Sequence, residues 1–301
     1  MRLLLRILAL TTWLALSVIT VSAQGQLYAD TLKADTIKVN VRIVEVYATV
    51  FNRQQKAVDG LTRDDFQLLE DGHPQIIDKF ESNEGAISCA ILIDSTGSMA
   101  SVLPHVRNSV GRLIEELGPK DSVAVYTFNT RLDVRQPFTT DKAKAKKAIF
   151  ATRAEGRTAL FDAIALAARE TGKAQGKKAL IVFTDGADNA SALSATTATK
   201  TAREIGIPVY TIAEGDAVRT PELKKLLKDL SQDTGASTYE VKSLQDVDTV
   251  FDSVSRDLKH LYLLTYKPTA SPSETNWRRI SVSVKGQSDL HVRSKEGYFP
   301  N

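Results

Sequence analysis

Short apolar runs alternate with amphipathic segments between Ala86 and Leu258, and this alternation limits the possible folds more than any other property of the chain. The runs from Ala86 to Ile93 and from Ala179 to Phe183 are almost uninterrupted, as in the central strands of a parallel sheet. Apolar residues from Val102 to Leu117 recur at helical spacing. The pattern therefore predicts an α/β fold, with a doubly wound, mostly parallel sheet and helices on both faces.

The same reasoning places the later elements of this domain. In chain order we expect a strand at Ser122–Phe128, helices at Lys142–Phe150 and Leu160–Glu170, a strand at Ala179–Thr184, a helix at Ala195–Ile205, a strand at Pro208–Ala213, a helix at Pro221–Thr234, a strand at Ser237–Val241 and a helix at Leu244–Leu258.

The flanking segments are rich in strand-forming residues. Before the domain we expect a long strand at Ile37–Phe51, a helical turn after Thr62, and a hairpin joining Gln67–Glu70 to Gln75–Phe80 around Asp71-Gly72. After it we expect strands at Leu261–Tyr266, Trp277–Val284 and Asp289–Arg293, with a loop at Pro268–Asn276. The simplest arrangement joins both flanks in a small antiparallel β unit, with the α/β domain inserted between them.

The first residues have the pattern of a secretory signal. Arg2 and Arg6 precede an apolar stretch from Ile7 to Val21, and Ala23 ends a run of small residues suited to cleavage. The predicted order is a signal peptide at residues 1–23, a disordered linker at 24–36, an amino-terminal β segment at 37–85, the α/β domain at 86–259 and a carboxy-terminal β segment at 260–301. We expect export to the periplasm or the extracellular space, without a membrane span after cleavage; an uncleaved signal anchor is the alternative.

Charge and cysteine content argue against several classes of protein. Removing Arg2 and Arg6 lowers the formal net charge from +3 to +1, and the only close group of lysines, from Lys142 to Lys147, is interpreted as a solvated helix face. Nucleic-acid binding needs a concentrated basic surface, so it is not expected. Cys89 is the only cysteine, which excludes an internal disulfide.

Oxygen-bearing side chains follow the ends of two predicted central strands. Asp94, Thr96 and Ser98 occupy alternate positions after the first strand, Asp185 follows another apolar strand, and Thr158 precedes a predicted helix. The pentapeptide from Asp94 to Ser98 alone is typical of an ordinary turn. Ligands of doubly wound sheets bind beyond the carboxyl ends of the strands, however, and hard cations such as Mg²⁺ prefer oxygen ligands. The five residues together predict a divalent-metal site.

On these motifs the chain resembles the von Willebrand factor A (VWA) domains that carry a metal-ion-dependent adhesion site, or MIDAS. The family's Asp-x-Ser-x-Ser motif is matched by Asp94, Thr96 and Ser98, with Thr in place of the first Ser. Its threonine matches Thr158 and its later aspartate Asp185. The resemblance implies that Ser98, Thr96 and sometimes Thr158 touch the metal, with the aspartates acting largely through water. It implies Mg²⁺ as cofactor, with Mn²⁺ or Ca²⁺ as other possibilities.

The flanks are similar to those of bacterial exported proteins called VWFA-related. The pattern Leu61-Thr62-x-x-Asp65-Phe66 precedes the domain, as does Leu69-Glu70-Asp71-Gly72, and the segment from Arg293 to Phe299 follows it. These motifs are less specific than the metal set. The resemblance implies export and the same arrangement of flanks.

Two further aspartates have two interpretations each. Asp162 either orients a ligand loop from behind the metal ligands or caps and pairs on its helix. Asp188 either lines the rim of the site or is a solvated loop residue. The sequence contains no histidine spacing suited to zinc, no serine with a recognisable base and no phosphate-binding loop.

The predicted function is therefore binding, not catalysis. We expect an exported protein that uses its metal to bind a protein partner through an Asp or Glu of that partner. The alternatives are a metal-assisted hydrolase and a structural protein in which the metal only stabilises loops. A general base beside the metal would favour the hydrolase, and none is evident beyond Asp94 and Asp185.

Overall fold

The computed structural model describes residues 43–269 and 277–300. The predicted signal peptide and linker, the first part of the predicted strand Ile37–Phe51 and most of the loop at Pro268–Asn276 lie outside these residues. The strands are β1 (Val44–Phe51), β2 (Phe66–Glu70), β3 (His73–Pro74), β4 (Ile77–Glu81), β5 (Ile87–Asp94), β6 (Ser122–Phe128), β7 (Leu132–Thr139), β8 (Lys177–Thr184), β9 (Val209–Ala213), β10 (Thr238–Glu240), β11 (Tyr262–Tyr266), β12 (Arg278–Val284), β13 (His291–Ser294) and β14 (Gly297–Tyr298). The helices are α1 (Leu103–Glu116), α2 (Lys142–Phe150), α3 (Leu160–Gly172), α4 (Ala195–Ile205), α5 (Gly215–Arg219), α6 (Pro221–Asp233) and α7 (Asp246–Lys259).

The central sheet has six strands in the order β10-β9-β8-β5-β6-β7. All neighbouring pairs are parallel except β6 and β7. The strands β5 and β8 lie side by side, with Ile93 opposite Phe183. From β5 the chain first builds the sheet towards β6 and later returns to the other side of β5 at β8, so the strand order reverses between these two strands. This reversal is where doubly wound folds bind their ligands.

Helices cover both faces of this sheet, as predicted. Cys89, Ile91 and Ile93 of β5 face a core shared with α1, α2 and α7. The alternate residues Ala90 and Leu92 face a second core, shared with α3, α4 and α6. Successive side chains of a strand point to opposite faces, so a strand that is covered twice must be apolar throughout. The predicted fold class is confirmed.

The flanks form two antiparallel sheets of four strands each, in the orders β13-β1-β11-β4 and β14-β12-β2-β3. Strand β1 pairs with β11 and β13, and β2 pairs with β12, so strands from before and after the central sheet alternate. The two sheets share one apolar core, which includes Val46, Phe66 and Tyr262. The antiparallel unit predicted from the two flanks is therefore present.

The predicted hairpin is present at its turn, Asp71-Gly72, where β2 pairs with β3, but its predicted second arm, Gln75–Phe80, is wrong. Strand β2 turns back only through the two residues of β3, and β4 crosses to the other sheet, where it pairs with β11. The main-chain N–H of Gln75 donates to the Leu68 carbonyl at 2.9 Å, and the next strand begins at Ile77 in the other sheet.

The prediction missed the edge strand β7, the five-residue helix α5 and the two-residue strands β3 and β14. The turn after Thr62 is present at Arg63–Asp65, where the Asp65 carboxylate accepts from the Thr62 N–H at 2.7 Å. Within the described ranges, no helix is long and apolar enough to cross a membrane.

Buried polar contacts join the β unit to the central sheet. Lys177 Nζ donates to the carbonyls of Ser82, Asn83 and Leu261 at 2.9–3.2 Å. Arg293 pairs with Asp257 of α7 at 2.7 Å. These contacts fix the β unit against the amino-terminal end of β8 and the carboxy-terminal part of α7.

Candidate metal centre

Asp94 is the last residue of β5 and is completely buried. Its carboxylate accepts two hydrogen bonds, from the Thr96 N–H at 3.0 Å and from the Thr184 hydroxyl at 2.8 Å. Thr184 ends the neighbouring strand β8, so the pairing of β5 with β8 sets the second contact. The carboxylate is held in one position by groups from two strands.

A short chain of hydroxyls connects this position to Asp185. The hydroxyl oxygens of Thr96 and Ser98 are 3.0 Å apart, and the Ser98 hydroxyl donates to Asp185 Oδ1 at 3.1 Å. Thr96 and Asp185 are buried, whereas Ser98 is exposed at the surface. Four of the five predicted ligands therefore lie in one hydrogen-bonded cluster at the carboxyl edge of the sheet.

Thr158, the fifth predicted ligand, lies on a neighbouring loop just before α3. This loop is tied to the first motif by two hydrogen bonds, from the Glu155 N–H to the Ser95 carbonyl at 2.8 Å and from the Gly97 N–H to the Gly156 carbonyl at 3.4 Å. Gly156 has a positive φ of 84°, which favours glycine. Thr158 is buried, and no described hydrogen bond uses its hydroxyl. The structure thus brings its loop to the cluster.

The two carboxylates lie in an environment that disfavours negative charge. Burial raises the pKa of Asp94 to about 6, against the hydrogen bonds from Thr96 and Thr184, and the charge of Asp185 raises it further. Burial also raises the pKa of Asp185. None of the described ion pairs includes either residue. A buried carboxylate without a positive partner is costly, so a cation at this point would relieve an existing electrostatic cost.

These donors suit a hard divalent cation. Two carboxylates provide the charge, and the hydroxyls of Thr96, Ser98 and Thr158 are neutral oxygen donors of the type that Mg²⁺ accepts. In the described part of the chain, no three His, Cys, Asp or Glu side chains form a metal-ligand group. A site with only two carboxylates therefore depends on hydroxyl groups for its other protein ligands. The residues present fit the cation that the motifs imply.

Asp162 and Asp188 join the start of α3 to the loop that follows β8. The Asp162 carboxylate accepts from the N–H groups of Ala192 and Leu193 at 2.9 and 2.8 Å. The Asp188 carboxylate accepts from the Phe161 N–H, in the first turn of α3, at 3.0 Å. Both contacts attach the segment after β8 to the start of α3. In the structure these aspartates hold loops, and no described hydrogen bond links them to Asp94 or Asp185.

Sequence reasoning missed three residues close to the cluster. Thr184 supplies the buried donor to Asp94. Glu214 and Asp216 lie beside Asp185: burial and then the charge of Asp185 raise the pKa of Glu214, and Asp216 raises that of Asp185. Glu214 directly follows the apolar strand β9, so the rule that identified Asp94 and Asp185 could have found it.

The sequence profile of the von Willebrand factor type A domain matches residues 89–253, more than half of the chain. The chain belongs to the VWA family. The matched range of this VWA chain runs from β5 into α7 and contains all five predicted metal ligands. A comparison with curated proteins gave no match.

Solved structures share the VWA fold at low sequence identity. A von Willebrand factor type A protein from Catenulispora acidiphila has a TM-score of 0.53 and 12% identity, covering 88% of this chain and 76% of that one. The mussel byssus protein PTMP1 with a zinc-occupied MIDAS motif has a TM-score of 0.52 and 19% identity, covering 67% and 50%. The D319A mutant of the PilB minor pilin from Streptococcus sanguinis has a TM-score of 0.50 and 13% identity, covering 59% and 62%. The VWA chain thus spans about half of the mussel protein and under two thirds of the pilin, and these likenesses show the fold alone.

Proposed function

We propose that this VWA protein binds a protein partner through a divalent cation held by Asp94, Thr96, Ser98, Thr158 and Asp185. The observation that carries the proposal is the cluster in which Ser98 joins Thr96 to Asp185 through contacts of 3.0 and 3.1 Å, beside the buried carboxylate of Asp94. A cation bound there would supply a positive centre for one carboxylate of the partner.

The residues of the cluster have separable tasks under this proposal. Asp94 and Asp185 provide negative charge, and Thr184 keeps the Asp94 carboxylate in place. Ser98 is the exposed member, so it lies where an incoming group would arrive. Asp162 and Asp188 fix the surrounding loops through main-chain contacts. We propose Mg²⁺ as the bound ion, with Mn²⁺ and Ca²⁺ as alternatives.

Binding is favoured over catalysis because the two carboxylates of the cluster are already engaged as proposed metal ligands. Asp94 accepts hydrogen bonds from Thr96 and Thr184, and Asp185 accepts one from Ser98. A hydrolase would need a further group near the metal to take a proton from water. Glu214 is half-buried beside Asp185, and it is the residue whose replacement would test the hydrolase alternative.

We also propose that the protein is exported and that its signal peptide ends at residue 23. Support comes from Arg2 and Arg6, the apolar stretch that follows them and the small residues before Gln24. The proposed division into flanks and a VWA domain at residues 86–259 follows the change from β-rich segments to alternating strands and helices. Two proteins that share the fold are a byssus matrix protein and a minor pilin, and an adhesive role outside the cytoplasm is consistent with both.

The test is partner capture with and without metal. The mature protein is immobilised, exposed to native extract in Mg²⁺ or in EDTA, and compared with the variant Asp185→Ala. Partner released by EDTA and absent from the variant supports the proposal. Zinc is included as a third condition because PTMP1 carries it at the same motif.

Two results would contradict metal-dependent binding, and a third would favour the enzyme alternative. A partner retained equally in Mg²⁺ and in EDTA would show that capture does not use the metal. A rise in melting temperature with metal, without any change in partner binding, would assign the metal a purely structural role. Release of a hydrolysed product that is lost in Glu214→Gln would favour the enzyme.

A further inference from the structure

A polar groove begins beside the candidate metal centre and runs along the edge of the central sheet. It consists of two adjoining cavities of about 300 and 560 Å³, which share Asp133, Arg135 and Ala151. The smaller cavity is lined by Ser95, which lies between Asp94 and Thr96 in the sequence. We call the two cavities together the arginine groove. It extends from Ser95 to the edge strand β7 and to α2.

The arginine groove is strongly positive. Its lining contains five cationic residues and two acidic ones, a net charge of +3: Arg131, Arg135, Lys144, Lys147 and Arg153 against Asp133 and Glu155. Without the proposed signal peptide, which contains Arg2 and Arg6, the formal net charge of the chain is +1, so the remainder of the mature chain has a net charge of −2. The arginine groove is therefore a positive region on a chain that is otherwise slightly negative.

Two arginines of the groove have no carboxylate partner among the described ion pairs. Arg131 pairs with Asp133 at 3.1 Å, and Lys144 pairs with Asp141 at 3.5 Å. Arg135 has only a long contact, 3.5 Å, to the carbonyl of Ala151. Arg135 and Arg153 are both exposed and line the cavity nearer the metal centre. Their charges are therefore available to an external anion.

The other side of the candidate metal centre is not positive. Glu214 follows β9 beside Asp185, and Asp216 is paired with Arg219 at 2.9 Å. These two acidic residues and one basic residue have a net charge of −1, against +3 for the arginine groove. A partner with several negative charges would therefore be attracted along the arginine groove and not along this side.

We propose that the arginine groove binds an acidic segment of the same protein partner whose carboxylate is received at the metal. This inference rests on the proposed function and extends it: the recognised element is a run of acidic residues, of which one reaches the metal and others contact Arg135 and Arg153. Guanidinium groups suit such contacts because they bind carboxylates with two parallel hydrogen bonds.

A polypeptide fits this groove better than another polyanion does. Strand β7 is the last strand of the six-stranded sheet, and the consecutive residues 133–136 line the groove. An edge strand offers its main chain to an extended peptide. Val134 is 52% exposed in the same stretch and adds an apolar contact. An extended acidic peptide would use three features here: the positive charges of the groove, the main chain of the edge strand and the apolar side chain of Val134.

The test uses two fluorescent peptides and three forms of the mature protein. One peptide has a single aspartate among glycines and serines; the other has the same aspartate followed by four acidic residues. Binding is measured by fluorescence anisotropy in Mg²⁺ and in EDTA, for the parent, for Arg135→Gln/Arg153→Gln, and for the control Lys79→Gln/Arg279→Gln. The control removes two exposed charges from the β unit, so it matches the change in net charge.

In Mg²⁺ we expect the acidic-run peptide to bind the parent about tenfold more tightly than the single-aspartate peptide, since two exposed ion pairs each add a modest contribution. This advantage should disappear in Arg135→Gln/Arg153→Gln and persist in the control. Raising the salt concentration should reduce it.

Three results would overturn the inference. Equal, EDTA-sensitive binding of both peptides by the parent would reject the groove and leave the proposed function intact. Binding that ignores EDTA for both peptides would instead reject the proposed function. A sulfated oligosaccharide that competes as well as the acidic peptide, with or without Mg²⁺, would show general polyanion binding and reject a peptide ligand.

Discussion

Two buried sites in this protein, Glu70 in the β unit and the pair Asp94 and Asp185, differ in which groups balance their negative charge. In the β unit, Glu70 is only 3% exposed and accepts hydrogen bonds from the hydroxyls of Tyr266 and Tyr298 at 2.5 and 3.0 Å. Arg278 lies 3.9 Å from its other oxygen. This carboxylate has both donors and a positive partner within the protein.

Asp94 and Asp185 are buried to a similar degree but face each other across a chain of hydroxyls. Burial raises the pKa of both, and none of the described ion pairs includes them. The comparison shows that burial alone does not identify a functional carboxylate. What distinguishes the candidate metal centre is that none of the described ion pairs balances its charge, which a bound cation would do.

The largest expected effect is at Glu70 and is independent of metal. Glu70→Ala removes the acceptor of the buried Tyr266 hydroxyl, one hydrogen bond of Tyr298 and the carboxylate 3.9 Å from Arg278, which keeps its contact with Asp71 at 3.2 Å. Losing these contacts of one buried carboxylate together costs about 3–4 kcal/mol of unfolding free energy. Urea denaturation should show the same loss in Mg²⁺ and in EDTA. Glu70→Gln keeps one oxygen acceptor and should lose less. A loss that depended on Mg²⁺ would break the comparison between the two sites.

The next effect is a pH dependence that belongs to the metal centre. The folded protein holds the Asp94 proton with a pKa of about 6, against an ordinary value of 3.8. In EDTA, the resulting stabilisation of the protonated folded state is fully present below pH about 4 and is lost as the pH rises through about 6, a change of about 3 kcal/mol. Unfolding free energies measured across this range should therefore fall with rising pH.

Asp94→Asn is the matched variant for this effect, since it keeps the side-chain shape and removes the titrating charge. The metal-free variant should lose most of the fall between pH 4 and pH 6 and should not respond to Mg²⁺. In the parent at neutral pH, Mg²⁺ at a hundred times its dissociation constant should restore about 2.7 kcal/mol. A flat pH profile for the parent in EDTA would contradict the raised pKa.

The smallest effect separates the hydroxyl ligands from ordinary surface serines. Ser98→Ala and Thr158→Ala should each weaken Mg²⁺ binding about tenfold, or about 1.4 kcal/mol, because each removes one neutral oxygen donor. Ser101→Ala is the control, since Ser101 is exposed just after the motif. Titration calorimetry measures all three. Equal affinity in Thr158→Ala and the control would remove Thr158 from the site.

The core of the candidate site could be predicted because one rule covers most of it. A carboxylate directly after an apolar strand lies at the carboxyl edge of a parallel sheet, and this rule placed Asp94 and Asp185 together. The pairing of β5 with β8 had to be assumed from the fold, and the structure confirms it. Applied to β9, the same rule would also have found Glu214.

The arginine groove could not be predicted in the same way. Strand β7 contains few apolar residues, because it is an edge strand with exposed positions such as Val134 and Arg135. In the sequence, the lysines of α2 indicated only a solvated helix face, because the arginines that lie near them in the structure come from other segments of the chain. Only the folded sheet brings these charges together. The error in the second arm of the hairpin has a similar cause: nothing local to Ile77 indicates that its partner is β11.

The central claim is that the carboxylates and hydroxyls around Asp94 and Asp185 bind a divalent cation. Titration calorimetry of Mg²⁺ into the mature protein and into Asp185→Ala tests it most directly, with circular dichroism to show that both are folded. The account predicts a single site in the parent and no measurable binding by the variant at millimolar metal. Absence of binding by the parent, or equal binding by both proteins, would contradict it.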